Sequence, residues 1–248
     1  MNDTNWTRNN WDKDNWDKGS ASRATAVAAP SPTASQAALE TLRSNSVLRN
    51  TYWLLALTLM FGGGIAAATA AANLPHPGLI ISLGGYFGLL YLTWRLRDSA
   101  WGLASVFALT GFMGYTLGPV IARALTLPDG HALVAMSLGG TGLIFAGLSA
   151  YVLTTRRDFS FLGGFLMVGI LTAFVGGLAA IFFDFPALQM AVSAAFVLLM
   201  SGFILWQTSA IVEGGETNYI MATVGLYVSI YNLVSSLLAL LGLGGSSD

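Results

Sequence analysis

Gly147-Leu148-Ser149-Ala150 is the string in this chain whose residue types come nearest to covalent chemistry. A serine so placed is what intramembrane proteolysis uses as a nucleophile, provided a base lies at the same depth. The base is missing. The only histidines, His76 and His131, fall near the ends of apolar stretches, and no lysine follows Lys18, so neither a Ser-His nor a Ser-Lys pair can form. Aspartyl proteolysis needs two intramembrane carboxylates, and Asp184, in Phe-Phe-Asp-Phe-Pro, is the single candidate. Its position reads as an interfacial turn, with a cation or proton access point as the functional alternative. There is no His-Glu-x-x-His metal motif, no Gly-Lys-Ser/Thr phosphate loop and no cysteine. The sequence therefore predicts a protein that is not an enzyme and calls for no cofactor or metal.

The surroundings of these residues explain the missing chemistry. Of 248 residues, 54% are hydrophobic and only 9% charged, against roughly 25% charged in a soluble domain. That balance excludes a water-soluble domain, a disordered chain, a nucleic-acid binder and a disulfide scaffold. From Asn50 to Trp94 there is no Asp, Glu, Lys or Arg, and between Phe159 and Val212 only Asp184. A helix crossing ~30 Å of hydrocarbon needs about 20 apolar residues. Seven such stretches can be laid out, at 51–73, 78–94, 101–122, 132–154, 160–182, 187–212 and 217–241. The fold class is thus an all-α membrane protein, a bundle of seven transmembrane helices. Three parts are expected: a disordered tail at 1–46, the helical domain at 47–242 and a short C-terminal tail at 243–248.

Lys and Arg set the orientation. The tail carries six of them, the turn after the second stretch Arg95 and Arg97, and the turn after the fourth Arg156 and Arg157. The opposite side has Arg123 alone, near His76, Asp129 and His131. This puts the N-terminus in the cytoplasm and, after seven crossings, the C-terminus outside. Within the tail Asn-Trp recurs at 5–6, 10–11 and 15–16, a period that fits neither helix nor strand. Residues 20–36 read as an Ala/Ser/Thr/Pro linker, and 37–49 as a short amphipathic lead-in helix. Trp6, Trp11 and Trp16, flanked by basic residues, are candidate contacts for the membrane surface or a cytoplasmic partner.

Helices in lipid associate through small residues that allow close approach. Gly84 and Gly88 on the second stretch, Gly114 and Gly118 on the third, Gly62–Gly64, Gly139, Gly140 and Gly142, and Gly163, Gly164, Gly176 and Gly177 are read as packing positions. Gly118-Pro119 suggests a kink. The seventh stretch is the most polar. Thr223, Tyr227 and Tyr231 form one stripe, and Ser229, Asn232 and Ser236 a second. Two polar stripes facing lipid are costly, so this helix is placed at the bundle centre with its hydroxyls bonded to neighbours. The same polarity suits a solute path. Glu216-Thr217 suits capping of the seventh helix, and Glu213 and Glu216 are candidate cytoplasmic contacts.

Three strings carry a resemblance: Gly111-Phe-Met-Gly-Tyr-Thr-Leu-Gly-Pro119, Ala150-Tyr-Val-Leu-Thr-Thr-Arg-Arg-Asp-Phe-Ser-Phe-Leu-Gly-Gly164, and Gly214-Gly-Glu-Thr-Asn-Tyr-Ile220 leading into Leu226-Tyr-Val-Ser-Ile-Tyr-Asn232. Together they resemble the Bax inhibitor family, in particular its bacterial YccA-type branch, from about Val47 to Gly242. The resemblance implies a seventh helix enclosed by the other six. It also implies an inner-membrane protein that binds and modulates the membrane AAA protease FtsH. Other branches of the family are pH-sensitive calcium leaks, gated by an Asp pair linked to an Arg. By position the Arg falls at Arg95 and the two acids at Gln207 and Ser229, neither ionisable, so the usual proton-sensing pair is lacking. The leading expectation is a non-enzymatic modulator of an FtsH-type protease. The alternative is an ion leak, calcium or another cation, or a small-solute channel, with Arg95, Gln207, Thr223, Tyr227, Ser229, Tyr231 and Asn232 as path or gate candidates.

Overall fold

The computed structural model describes the backbone of residues 34–244 and side chains from 45 to 242. The Asn-Trp repeat with Trp6, Trp11 and Trp16, most of the linker and the last four residues lie outside the described residues. Seven helices follow one another: α1 (Ala34–Ala71), α2 (Leu79–Leu96), α3 (Trp101–Leu125), α4 (Gly130–Thr155), α5 (Leu162–Phe182), α6 (Pro186–Val212) and α7 (Tyr219–Gly244). Each is long and apolar enough to span a membrane, the apolar window of α1 being Asn45–Ala71. The expected spans agree with these helices to within a few residues, except that α1 takes in the lead-in segment at 37–49 without a break.

The turns follow from local chemistry. Asn73 and Gly78 adopt positive φ (49° and 87°) around Pro75 and Pro77, which stops α1 and reverses the chain into α2. Arg156, at φ 48°, closes α4 while its N–H donates to the Val152 carbonyl at 2.8 Å. Asp184, at φ 46°, turns the chain from α5 into α6 just ahead of Pro186. Its neighbours Phe182, Phe183 and Phe185 are all exposed, as aromatic residues at a membrane interface are. α3 runs on through Pro119 to Leu125. The turns collect at two ends: Arg95, Arg97, Arg156 and Arg157 mark the arginine end, and His76, Asp129, His131 and Asp184 the histidine end.

α7 packs directly on α3, α4 and α6 and reaches α1 through a hydrogen bond from Thr223. Half of its apolar window is buried, matched only by α3 at 56% and contrasting with 6% for α2. The polar seventh helix therefore sits at the centre, with α3 as its equal in burial. α2 packs on α3 and α5 on α6, and these two outer helices meet where Phe87 and Phe174 stack edge to face at 5.9 Å. One apolar core joins Leu54, Leu55, Val106, Leu109, Ile211 and Leu226. A second joins Leu166, Met200, Ile204 and Leu233. α7 contributes to both.

The glycines divide sharply. A Cβ on Gly114 would run into the Gly62 carbonyl, and one on Gly118 into the Thr69 hydroxyl and to within 2.8 Å of the Ala66 carbonyl. α1 and α3 thus touch backbone to backbone. Gly63, Gly64, Gly84, Gly88, Gly139, Gly142 and Gly164 have nothing within 4 Å of that position. The packing role expected for these seven is corrected: a side chain there would stand in open space.

Candidate functional site

The polar centre is built on α7, and its two stripes behave differently. Thr223 donates to the Tyr219 carbonyl at 2.7 Å and lies 3.3 Å from the Thr51 carbonyl of α1. One turn on, the Tyr227 hydroxyl donates to the Thr110 carbonyl of α3 at 3.1 Å, lodged against Gly62. Next, Tyr231 meets the Thr116 hydroxyl at 2.9 Å. Thr116 spends its own proton on the Met113 carbonyl at 2.8 Å, so Tyr231 is the donor. Only the absence of a side chain at Gly62 leaves room for the phenol of Tyr227. This stripe stitches α7 to α1 and α3.

The second stripe bonds to itself. Ser229 donates to the Gly225 carbonyl at 2.9 Å, and the Asn232 amide to the Val228 carbonyl at 2.8 Å, both four residues back on α7. The expectation that both stripes bond to neighbouring helices is corrected here: only the first does, because only it faces carbonyls on an adjacent helix. Beyond Asn232, Ser235 and Ser236 border an open cleft of about 180 Å³ shared with Gly177 of α5 and with Gln189 and Ser193 of α6. Gln207 is buried, with its carboxamide oxygen 3.3 Å from where a Cβ on Gly225 would stand. Gln207 and Ser229 thus each border Gly225. Arg95 does not join them; it is exposed at the end of α2.

Two polar clusters close the arginine end. Asn218 caps α7, its Oδ1 accepting from the N–H groups of Ile220 at 3.0 Å and Met221 at 3.1 Å. Its Nδ2 donates to Asp98 Oδ1 at 2.8 Å and to the Arg97 carbonyl at 3.3 Å, tying α7 to the α2–α3 turn. Asn218 is the cap, and Glu216, which accepts from the Asn218 N–H at 2.9 Å, stands ahead of it. Arg97 in turn pairs with Asp98 at 3.4 Å and lies over the Trp94 ring. In the second cluster the buried Ser209 hydroxyl accepts from the Phe159 N–H at 3.0 Å and lies 3.2 Å from the Arg157 carbonyl and 3.4 Å from Glu213 Oε1. It fastens the α4–α5 turn to the end of α6. Partial burial and the neighbouring Asp158 raise the pKa of Glu213. Hydrogen bonds from Ser160 hold that of Asp158 below its usual value.

Sequence reasoning found the α7 stripes and both glutamates. It missed Thr51, Thr110 and Thr116, whose partners lie more than 100 residues away, and it missed Ser209, Asn218 and Asp158. For Asn218 a signal existed: Asn immediately before the apolar run that starts at Tyr219 is a helix-start residue.

A family described as inhibitor of apoptosis-promoting Bax1 matches residues 44–246. The chain is 53% identical over 201 residues to the Escherichia coli K12 protein named Modulator of FtsH protease YccA, covering 81% of this chain and 91% of that one. It matches an Escherichia coli O6:H1 protein named Inner membrane protein YccA to the same extent. A Pseudomonas aeruginosa protein is 53% identical over 214 residues, covering 86% of this chain and 96% of its own.

Proposed function

This chain belongs to the Bax inhibitor family, and on that premise we propose that it is a non-enzymatic inner-membrane protein that binds an FtsH-type AAA protease and modulates it. The observation that carries this reading is the 53% identity, over nine-tenths of the relative's length, to a protein named for that modulation. The bundle suits the role. A AAA protease pulls its substrates from an exposed segment, and the resistance a membrane domain offers grows with the contacts it must break. Backbone contact between α1 and α3, and the cross-helix bonds of α7, make this domain hard to extract. Residues 1–40 serve as the cytoplasmic handle, with Trp6, Trp11 and Trp16 as its grip. The excess of Lys and Arg in the tail and at the arginine end favours a cytoplasmic N-terminus and a periplasmic C-terminus. Glu213 and Glu216, both at the arginine end, then lie on the protease's side of the membrane.

The test is turnover of a reporter membrane substrate by FtsH in proteoliposomes with and without this protein. Turnover slows in its presence, and deleting residues 2–40 restores it. Unchanged turnover at saturating protein overturns the reading. A cation leak through the bundle would then be the question, read as calcium flux in liposomes holding this protein alone.

A further inference from the structure

Serine and threonine hydroxyls inside helices usually return their proton to a carbonyl three or four residues back, and most in this bundle do. Thr58, Thr69, Thr93, Ser105, Ser137, Thr141, Ser201 and Ser229 all bond in this way. Against that background, five buried side-chain hydroxyls among the described residues have no protein partner: Thr51, Tyr52, Ser82, Ser149 and Thr208. Ser82 stands apart in the first turn of α2, at the histidine end. The other four share one depth. Thr208 lies four residues before the end of α6 and Ser149 six before the end of α4, about 6 and 9 Å at 1.5 Å per residue. Thr51 is level with Thr223, four residues into α7. The Tyr52 ring lies 6.1 Å from that of Phe145, one turn from Ser149.

Their helices converge. α4 packs on α6, and both pack on α7, which holds α1 through Thr223. Phe145 touches both apolar cores, which contain Ile204 and Leu226, and so seals this layer from the middle of the bundle. Thr51 and Thr208 are 0% exposed and Ser149 is 3%, so bulk solvent does not reach them. The nearest charged residue on α1, α4 or α6 is Arg49, two residues before Thr51 and exposed, which leaves a neutral set of buried donors and acceptors. Water is the ligand that answers such a set, since it can donate and accept together and normally takes two to four polar neighbours when buried.

We propose that Thr51, Tyr52, Ser149 and Thr208 form an internal hydration site between α1, α4 and α6, binding a small cluster of ordered water in the arginine-end half of the bundle. Ser149, which cannot act as a nucleophile without a base, is here a water ligand. The site makes that half of the interior wet at membrane depth, while the layer of Phe145, Ile204 and Leu226 stays dry.

Water-edited solid-state NMR of the full-length protein in lipid reads the site without needing access from bulk solvent. Magnetisation from water is expected to reach Thr51, Ser149 and Thr208 faster than Ile204, which lies in the dry layer. In parallel, Ser149→Ala and Thr208→Val are each expected to lower Tm by roughly 2–4 °C, because each removes bonds to water. A hydroxyl in a dry site would behave oppositely, since replacing it by an apolar group of the same shape is neutral or stabilising. Transfer to these three residues no faster than to Ile204, or a Tm that is unchanged or raised, overturns the proposal.

Discussion

On its α1 and α3 side, α7 is closed by backbone contact and by hydrogen bonds that cross between helices. On its α5 and α6 side, the same helix bonds only to itself and borders an open cleft. Both sides carry a polar stripe of similar composition, so composition does not produce the difference. What faces each stripe does. With Gly62 and Gly114 in contact, α1 and α3 stand close enough for a phenol on α7 to reach a main-chain carbonyl. On the other side α7 also lies close to α6, but the atoms nearest a Cβ on Gly225 are side-chain atoms of Gln207 and Phe203, 3.3 Å away. Ser229 and Asn232 bond to carbonyls of their own helix.

The strongest way to break this contrast is to add a side chain on the closed side. Gly114→Val drives a branched side chain into the Gly62 carbonyl and is expected to destabilise the bundle by about 3 kcal/mol or more, or to prevent folding. Gly177→Ala on the open side meets only ordinary contact and should change stability by less than about 0.5 kcal/mol. Unfolding of the two variants in mixed micelles checks this, and equal effects would show that the two sides do not differ.

Tyr227→Phe leaves the Thr110 carbonyl without its tyrosine donor, an expected loss of about 1–2 kcal/mol. Ser229→Ala should cost about 0.5 kcal/mol or less, since it removes only a bond within one helix. A double-mutant cycle of Tyr231→Phe with Thr116→Val should likewise show coupling of about 0.5–1.5 kcal/mol.

At the arginine end each side has its own latch. Asn218→Ala removes the α7 cap and the ties to Asp98 and Arg97, at an expected cost of about 1–2 kcal/mol. Asn218→Asp keeps the cap but places two carboxylates together, so it should recover only part of that loss.

The smallest effect is a pH dependence of the latch on the cleft side. Glu213, with its pKa raised, contributes stability that is present below the ordinary glutamate range and lost as pH rises through its folded value. Asp158, with its pKa lowered, contributes stability present above the ordinary aspartate range and lost as pH falls through its folded value. The two oppose each other, so stability contributed by this latch peaks between them. Glu213→Gln should abolish the decline on the alkaline side and keep the acidic one, as read from Tm between pH 3 and 7.

Much of this was legible from residues alone. The seven spans and the polar seventh helix follow from counting charges and apolar residues along the chain. The glycine motifs were not legible in the same way. Gly84 and Gly88 have the same spacing as Gly114 and Gly118, yet the first pair faces outward and the second packs on α1. Likewise Thr223, Tyr227 and Tyr231 could be recognised as a stripe, whereas Thr51, Thr110 and Thr116 looked like ordinary helix hydroxyls until α7 was set beside them.

What the sequence determined by itself is the number of helices, their limits and their affinity for a membrane. These depend on local sums of transfer free energy and on the turn chemistry of residues such as Asn73, Gly78 and Pro186, none of which needs a distant partner. Only the tertiary structure decided which side of α7 is closed. That choice rests on the rotation and axial register of each helix against its neighbours. In lipid, where apolar burial barely discriminates between faces, the register is set by contacts such as Gly62 with Gly114 and Tyr227 with Thr110, whose partners lie far apart in the chain.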